Sequence, residues 1–239
     1  MYNTTPWKEA NFISRTINNF YSGTGGNPSD LSRWPHSPPF FLNDSNKGRA
    51  VWVSPVNDSN KGGLWGSPPG ITPVLKPIKN SGLILTDATA NIGGNTISFY
   101  LNGINQVNAV EIDPLTCEIL KHNLHIYELP TQNIYCQSYV DIYMLLDQDI
   151  VFLDPPWGGP DYKKSNNIDL YLDQSDGSSK NIIEICAELM EQKKVTLIVL
   201  KLPMNYNLPG LISRMPNKNF MTHKIYRKKH HSYNVVFCW

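Results

Sequence analysis

From about Ser81 onward the chain alternates between short β-prone runs and helical stretches. That alternation narrows the possible folds more than any other feature of its 239 residues. Apolar runs at Leu83–Asp87, Asn108–Asp113, Asn133–Gln137, Ile150–Asp154 and Val195–Leu202 are separated by helical stretches at Asn95–Asn102, Pro114–Tyr127, Tyr139–Leu146 and Asn181–Lys193. Strand–helix alternation at this pitch predicts an α/β fold, a mostly parallel sheet covered by helices on both faces. The chain closes with Phe220–Tyr226, a polar turn Arg227–His231 and Ser232–Trp239. That pattern predicts a C-terminal hairpin, which places one antiparallel strand on the parallel sheet.

The first third has a different texture. Residues 1–75 hold 9 of the 18 prolines, 8 of the 16 glycines and 4 of the 6 tryptophans. Proline lacks a ladder donor and glycine weakens regular elements, so little long helix or strand is expected beyond one helix through Trp7–Tyr21. The hexapeptide NDSNKG at Asn43–Gly48 returns at Asn57–Gly62, each copy followed by a tryptophan (Trp52, Trp65) and then Ser-Pro. Two copies are too few for a solenoid and suggest a pair of similar turns. So many tryptophans imply packing, because disordered segments are poor in aromatics. The expected organisation is an irregular Pro/Gly/Trp-rich extension over 1–80, serving substrate binding or packing, followed by one α/β domain over 81–239.

The net charge is only +1, and 41% of residues are hydrophobic, enough for a real core. A near-neutral total lacks the simplest footprint of a nucleic-acid binder. It is assembled, however, from opposed blocks: +2 over residues 1–75, −8 over 76–200 and +7 over 201–239, where no acid occurs. No apolar run approaches the ~20 residues of a membrane span, and no charged-then-apolar leader opens the chain. An intracellular protein, nuclear or cytoplasmic, is expected. Cys117, Cys136, Cys186 and Cys238 lie far apart, which predicts reduced, mostly buried thiols. Six histidines show no ligand spacing, so no metal site is predicted; His230-His231 belongs to the basic turn.

Ligands of open α/β sheets sit beyond the carboxyl ends of the strands, so those ends are where chemistry is sought. The first ends in Asp87-Ala88-Thr89-Ala90-Asn91-Ile92-Gly93-Gly94-Asn95-Thr96, with two glycines just before a helix N-terminus. The second ends in Glu111-Ile112-Asp113-Pro114; Glu111 lies 24 residues beyond Asp87, near the offset at which a carboxylate grips ribose hydroxyls. A Gly-Gly turn alone is what any tight strand–helix junction uses. Together with the second-strand acid and the strand order, it favours an adenosine-type cofactor. The fourth strand ends in Asp154-Pro155-Pro156-Trp157-Gly158-Gly159-Pro160-Asp161-Tyr162. This is an arrangement suited to methylating an exocyclic amine of a base. Such an amine is a poor nucleophile because its lone pair is delocalised into the ring. The Asp154 carboxylate and the Pro155 carbonyl can accept its two hydrogens and localise that pair. Proline's fixed φ keeps the carbonyl rigid, and Trp157 offers a flat face for the base.

On these residues, 81–239 resembles a class I S-adenosylmethionine-dependent methyltransferase, and more narrowly the trimethylguanosine synthase family, which methylates N2 of the 7-methylguanosine cap of RNA. The resemblance rests on Asp87-Ala88 with Gly93-Gly94-Asn95-Thr96, on Glu111-Ile112-Asp113-Pro114, and above all on Pro155 to Tyr162. Leu202-Pro203-Met204-Asn205 corresponds to a Leu-Pro-Arg-Asn stretch of that family. The resemblance implies a Rossmann-like class I methyltransferase fold with S-adenosyl-L-methionine as cofactor and capped RNA or a cap dinucleotide as partner. It implies cofactor contacts from Asp87, Thr89, Asn91, Gly93, Gly94, Asn95, Thr96, Glu111, Asp113 and Asp154. Asp154, Pro155 and Trp157 would carry the chemistry, with Trp157 stacking on a cationic base. Asp161, Tyr162, Lys201, Asn205, Arg227, Lys228 and Lys229 would bind the rest of the substrate.

Three positions depart from the family pattern. Asp154 stands where Ser is usual, Asn91 where a glycine is usual, and Met204 where an arginine serves the cap phosphates, a duty that Lys201 or another cation would have to assume. Asp154 keeps open N2-guanine or N6-adenine methylation at internal RNA or DNA positions. Asn91 and Met204 keep open a non-catalytic subunit that grips capped RNA. The basic turn Arg227–His231 is expected on the ligand rim, holding phosphates in a salt-sensitive way. Gly158–Lys180 is expected to be a long polar loop, either a lid or disordered.

Overall fold

The computed structural model describes residues 7–22, 41–44, 49–52, 82–216, 219–227 and 230–239. An N-terminal helix α1 (Trp7–Ser22) is followed by a two-stranded antiparallel pair, β1 (Phe41–Asp44) and β2 (Arg49–Trp52). The first NDSNKG copy runs from β1 towards β2, with 45–48 outside the described residues, as is the whole second copy. The α/β alternation then appears as β3 (Ile84–Asp87), α2 (Gly94–Leu101), β4 (Gln106–Val110), α3 (Pro114–Ile126), β5 (Ile134–Tyr135), α4 (Tyr139–Ile142) and β6 (Ile150–Leu153). After β7 (Tyr171–Asp173) and β8 (Ser179–Asn181) come α5 (Ile182–Glu191), β9 (Leu197–Pro203), α6 (Leu208–Arg214), β10 (Phe220–Arg227) and β11 (His230–Cys238).

The main sheet has seven strands in the order β10-β11-β9-β6-β3-β4-β5. β11 runs antiparallel to both its neighbours, and the pairings from β9 across to β5 are parallel, a Rossmann-like arrangement. β6 and β9 are buried along their whole length, as strands covered on both faces must be, and their residues are almost all apolar for that reason. Helix starts follow local chemistry. Asp113 accepts the Thr116 N–H at 2.7 Å just before Pro114, and Asn181 accepts the Ile183 N–H at 2.8 Å.

Strand alternation sorts the core into two layers. Leu85, Ile150, Phe152, Leu197, Val199, Val235 and Phe237 face Phe99 of α2 and Ile13 and Ile17 of α1. Val151, Leu153, Ile198 and Leu200 face α5 and α6 on the other side. Each large side chain buried this way contributes about 1.5–3 kcal/mol. The Phe99 and Phe152 rings meet edge-on at 5.4 Å between centroids. α1 docks on α2 through polar contacts too: the Ser14 and Ser98 hydroxyls lie 2.9 Å apart, and Asn102 donates to Asn11 at 2.9 Å.

Two expectations are corrected. Residues 158–180 are not a featureless loop: they contain a 3-10 turn at Pro160–Lys164 and the antiparallel pair β7–β8. Leu170 and Leu172 are buried against the α5 side of the core and anchor the excursion, with Ser138 donating to the Asp173 carbonyl at 2.5 Å. Two apolar side chains among so many polar ones leave no periodic signal. Cys117 and Cys136 are joined in a disulfide, not reduced, because α3 packs beside the end of β5 and brings their Cα atoms to 5.6 Å. Cys186 and Cys238 are buried free thiols. The helix α6 was not anticipated; Asn207 caps it by accepting the Gly210 N–H at 3.0 Å. Among the described residues no helix is long and apolar enough to cross a membrane.

Candidate active site

The chain runs from β3 outward to β4 and β5, then returns to the other side of β3 with β6. The crevice between the carboxyl ends of β3 and β6 is therefore the sheet's switch point, where α/β folds bind ligands. Register decides which side chains meet there. Asp87 pairs with Phe152, Phe152 with Val199, and Val235 with Lys201. Continuing each alternation, Asp87, Asp154, Lys201 and Tyr233 come to the same face of four neighbouring strands, at or just past their ends.

Lys201 Nζ lies 2.5 Å from Asp154 Oδ2. The ammonium also sits 5.6 Å from the centre of the Trp157 ring and 5.3 Å from that of Tyr233. Tyr233 donates its hydroxyl to Glu9 of α1 at 2.8 Å, so the N-terminal helix reaches the second layer of the site. Trp157 touches Tyr162 edge-on at 5.4 Å and packs against both core layers. Its buried indole N–H has no partner among the described residues. Pro155 is buried beside it. Gly158 and Gly159, at φ of 85° and 76°, supply the backbone turn that follows Trp157. Asn205 then pins the segment by donating to the carbonyls of Tyr162 and Ser165, both at 2.7 Å.

On the β3 side, Asp87 is fully buried and accepts the Thr96 hydroxyl on Oδ2 at 2.6 Å, while Oδ1 has no partner among the described residues. Burial pushes its carboxyl up to about 7, with the Asp154 and Glu111 charges adding to the shift and the Thr96 hydrogen bond opposing it. Thr89 Oγ1 accepts the Asp154 N–H at 2.9 Å, tying the ends of β3 and β6 together. Asn91 adopts a left-handed φ of 50°, accepts the Ile92 N–H on its own side chain, and donates its N–H to Glu111 at 2.8 Å. Asparagine tolerates this region better than most residues, which explains its place in the turn. Glu111 also accepts the Asp113 N–H at 2.9 Å; burial raises its carboxyl while these bonds oppose the rise. The carboxyl of Asp113 is occupied in capping α3 and is held below the usual range by Thr116.

Gly93 is needed for α3: at φ 95° an added Cβ would stand 2.8 Å from Leu120 Cδ1 and 3.1 Å from Leu124 Cδ1. Gly94 opens α2, and Asn95 and Thr96 are buried in its first turn. Asp161 is exposed and paired with Lys164 at 2.6 Å, and Met204 is exposed. Lys201, expected among phosphate contacts, is instead buried and paired with Asp154. The backbone of Arg227 faces His230, beyond the Tyr233–Pro203 pair at the carboxyl end of β9. Lys228 and Lys229 lie outside the described residues. Sequence reasoning missed Tyr233 and Glu9; the alternation of β11 contained a signal for the first, and nothing local marked the second. Among the described residues no His, Cys, Asp and Glu side chains cluster as metal ligands would.

Residues 83–238 match the family described as RNA cap guanine-N2 methyltransferase. An uncharacterised protein, L320, of Acanthamoeba polyphaga mimivirus is 34% identical over 128 residues, covering 52% of this chain and 48% of that protein. The trimethylguanosine synthase of Schizosaccharomyces pombe is 38% identical over 86 residues, covering 33% of this chain and 35% of its own length. The chain thus spans less than half the length of these relatives. Among solved structures, the Thermus thermophilus 16S rRNA N2 G1207 methyltransferase, in complex with AdoMet and guanosine, aligns with a TM-score of 0.46 at 19% identity, over 65% of this chain and 37% of that one. An rRNA methylase from Streptococcus thermophilus aligns with a TM-score of 0.43 at 10% identity, over 65% and 84%.

Proposed function

The chain belongs to the RNA cap guanine-N2 methyltransferase family, and on that premise we propose that it transfers a methyl group from S-adenosylmethionine to N2 of the 7-methylguanosine cap of RNA. The observation that carries the reading is the juxtaposition at the switch point. Asp154, Pro155 and Trp157 follow β6 beside a fully buried Asp87 whose Oδ1 has no hydrogen-bond partner among the described residues.

A buried carboxylate oxygen without a partner is costly and fits a cationic ligand group. Asp87 would hold the cofactor's cationic methionine portion, and Glu111, already oriented by two backbone N–H groups, would hold its ribose hydroxyls. The cofactor supplies a methyl group on a sulfonium centre, already activated for transfer. The protein's part is to position the amine. Asp154 and the Pro155 carbonyl accept the two N2 hydrogens, and Trp157 stacks on the base with a cation–π contribution. Thr89, Asn91, Gly93, Gly94, Asn95, Thr96 and Asp113 shape the cofactor turn, while Tyr162, Asp161 and Asn205 form the wall beyond Trp157. Arg227, Lys228 and Lys229, in the basic segment between β10 and β11, would meet the phosphates. Residues 81–239 would form the catalytic unit, and the 1–80 extension would brace it through α1.

The test is incubation with labelled cofactor and either 7-methylguanosine cap analogue, unmethylated cap or uncapped RNA, followed by identification of the product nucleoside. N2-methylated 7-methylguanosine is expected. N6-methyladenosine, or label only in uncapped RNA, would overturn the cap reading. Cofactor binding without any product would mark a binding subunit.

A further inference from the structure

Lys201 stands near the carboxyl end of a strand whose other residues are almost all apolar, and it is only 4% exposed. Taking an ammonium out of water costs several kcal/mol unless it is well paired. This one pairs with Asp154 and is flanked by the Trp157 and Tyr233 rings. Tyr233 is itself anchored to Glu9. Parallel register makes the pair unavoidable, because Leu153 lies opposite Leu200 and the next residues on the two strands are Asp154 and Lys201. The lysine is thus held beside the one carboxylate that the guanine-N2 reading places against the reacting amine.

We infer that Lys201 is a positioning residue: it keeps the Asp154 carboxylate ionised and oriented, and thereby makes the site a reader of guanine's Watson–Crick edge. This inference rests on the proposed guanine-N2 function. Guanine presents two adjacent donors, N1–H and N2–H₂, whereas adenine presents one donor beside the N1 acceptor. An ionised carboxylate only accepts, at about four lone-pair positions. It satisfies the guanine pattern with two charge-assisted hydrogen bonds while one of its oxygens also meets the lysine. Against adenine the same carboxylate faces a lone pair. A neutral carboxyl would carry a donor of its own and lose the distinction, so an acid at this strand end needs its cation. Lys201 therefore acts on base choice through Asp154, without touching the RNA phosphates.

The experiment measures nucleotide binding apart from turnover, by quenching of tryptophan fluorescence. Its probes are 7-methylguanosine triphosphate and 7-methylinosine triphosphate, whose bases are both cationic and differ only in the N2 amino group. The native protein should prefer the guanine nucleotide by about tenfold or more, the worth of one charge-assisted hydrogen bond. Lys201→Met should lower that ratio several-fold with S-adenosylhomocysteine affinity retained, Asp154→Asn should lower the ratio likewise, and Lys201→Arg should keep most of the preference. An unchanged ratio in K201M overturns the inference, as does a K201R protein that loses as much as K201M, since that marks a structural role. Should K201M fail to fold, the D154N and K201R ratios decide. A native protein that prefers the guanine nucleotide yet methylates no guanine refutes the proposed function alone. One that methylates N2 with no preference between the two nucleotides refutes this inference alone.

Discussion

Replacing Asp87 by Asn should stabilise the free protein relative to the native one, by an amount that grows as pH rises from the ordinary carboxylate range to about 7 and levels off above it. Asp87 is fully buried, and its carboxyl is pushed from an ordinary 3.8 up to about 7, chiefly by burial. Between those values the folded protein holds a proton that the unfolded chain has already released. Stability from this group is therefore complete below the unfolded pKa and is lost as pH climbs through the folded one. A shift of roughly three pH units, at about 1.4 kcal/mol each, amounts to about 4 kcal/mol between acid and mildly alkaline conditions. Other groups also shift, among them Glu111, raised by burial, and His223, lowered by burial. The difference between the native protein and D87N cancels them to first order. Asparagine can still accept the Thr96 hydroxyl, so the hydrogen bond at Oδ2 has a substitute. The assay is the free energy of urea unfolding for both proteins from about pH 4.5 to 8. D87N should gain on the native protein across this window while losing affinity for S-adenosylmethionine, because the costly carboxylate is what would meet the cofactor's cation. Parallel stability curves would refute the burial argument; a D87N protein that binds the cofactor normally would remove Asp87 from that site.

Gly93→Ala should cost about 2–4 kcal/mol, combining a left-handed backbone with overpacking against Leu120 and Leu124. Gly158→Ala, with a similar φ but open space around the added carbon, should cost only about 1–2 kcal/mol by the same denaturant assay, and equal losses would discount the α3 contact. Cys117→Ser should lower stability by about 3 kcal/mol, the value for a cross-link closing a loop of this size, and should make the denaturation midpoint indifferent to reductant. A native protein already indifferent to reductant would contradict the cross-link. Replacing Arg227, Lys228 and Lys229 together by Ala should flatten the slope of log affinity for short capped RNA against log salt by about 2, and an unchanged slope would take the hairpin tip off the RNA path.

Much of this architecture is legible in the sequence because it is written locally. Period-two runs, capping residues such as Asp113 and Asn181, and the Pro155–Trp157 segment each specify a backbone conformation within a few residues of themselves. From such signals alone came the alternation of β3 through β6 with their helices, α5 and β9, the C-terminal hairpin, and the strand ends at Asp87, Glu111 and Asp154. What the tertiary structure decided is which of those ends meet. Asp154 and Lys201 are far apart in the chain, and Tyr233 and Glu9 stand at its two ends, yet each pair is within hydrogen-bond reach. Cys117 and Cys136 are joined for the same kind of reason, and Leu170 and Leu172 find a core that their own polar neighbourhood does not announce. Such meetings depend on strand order and register, which follow from burying whole apolar faces of β6 and β9 at once. A charge that looks available for phosphates in the sequence, Lys201, becomes the buried counter-ion of Asp154 only when two parallel strands are laid side by side.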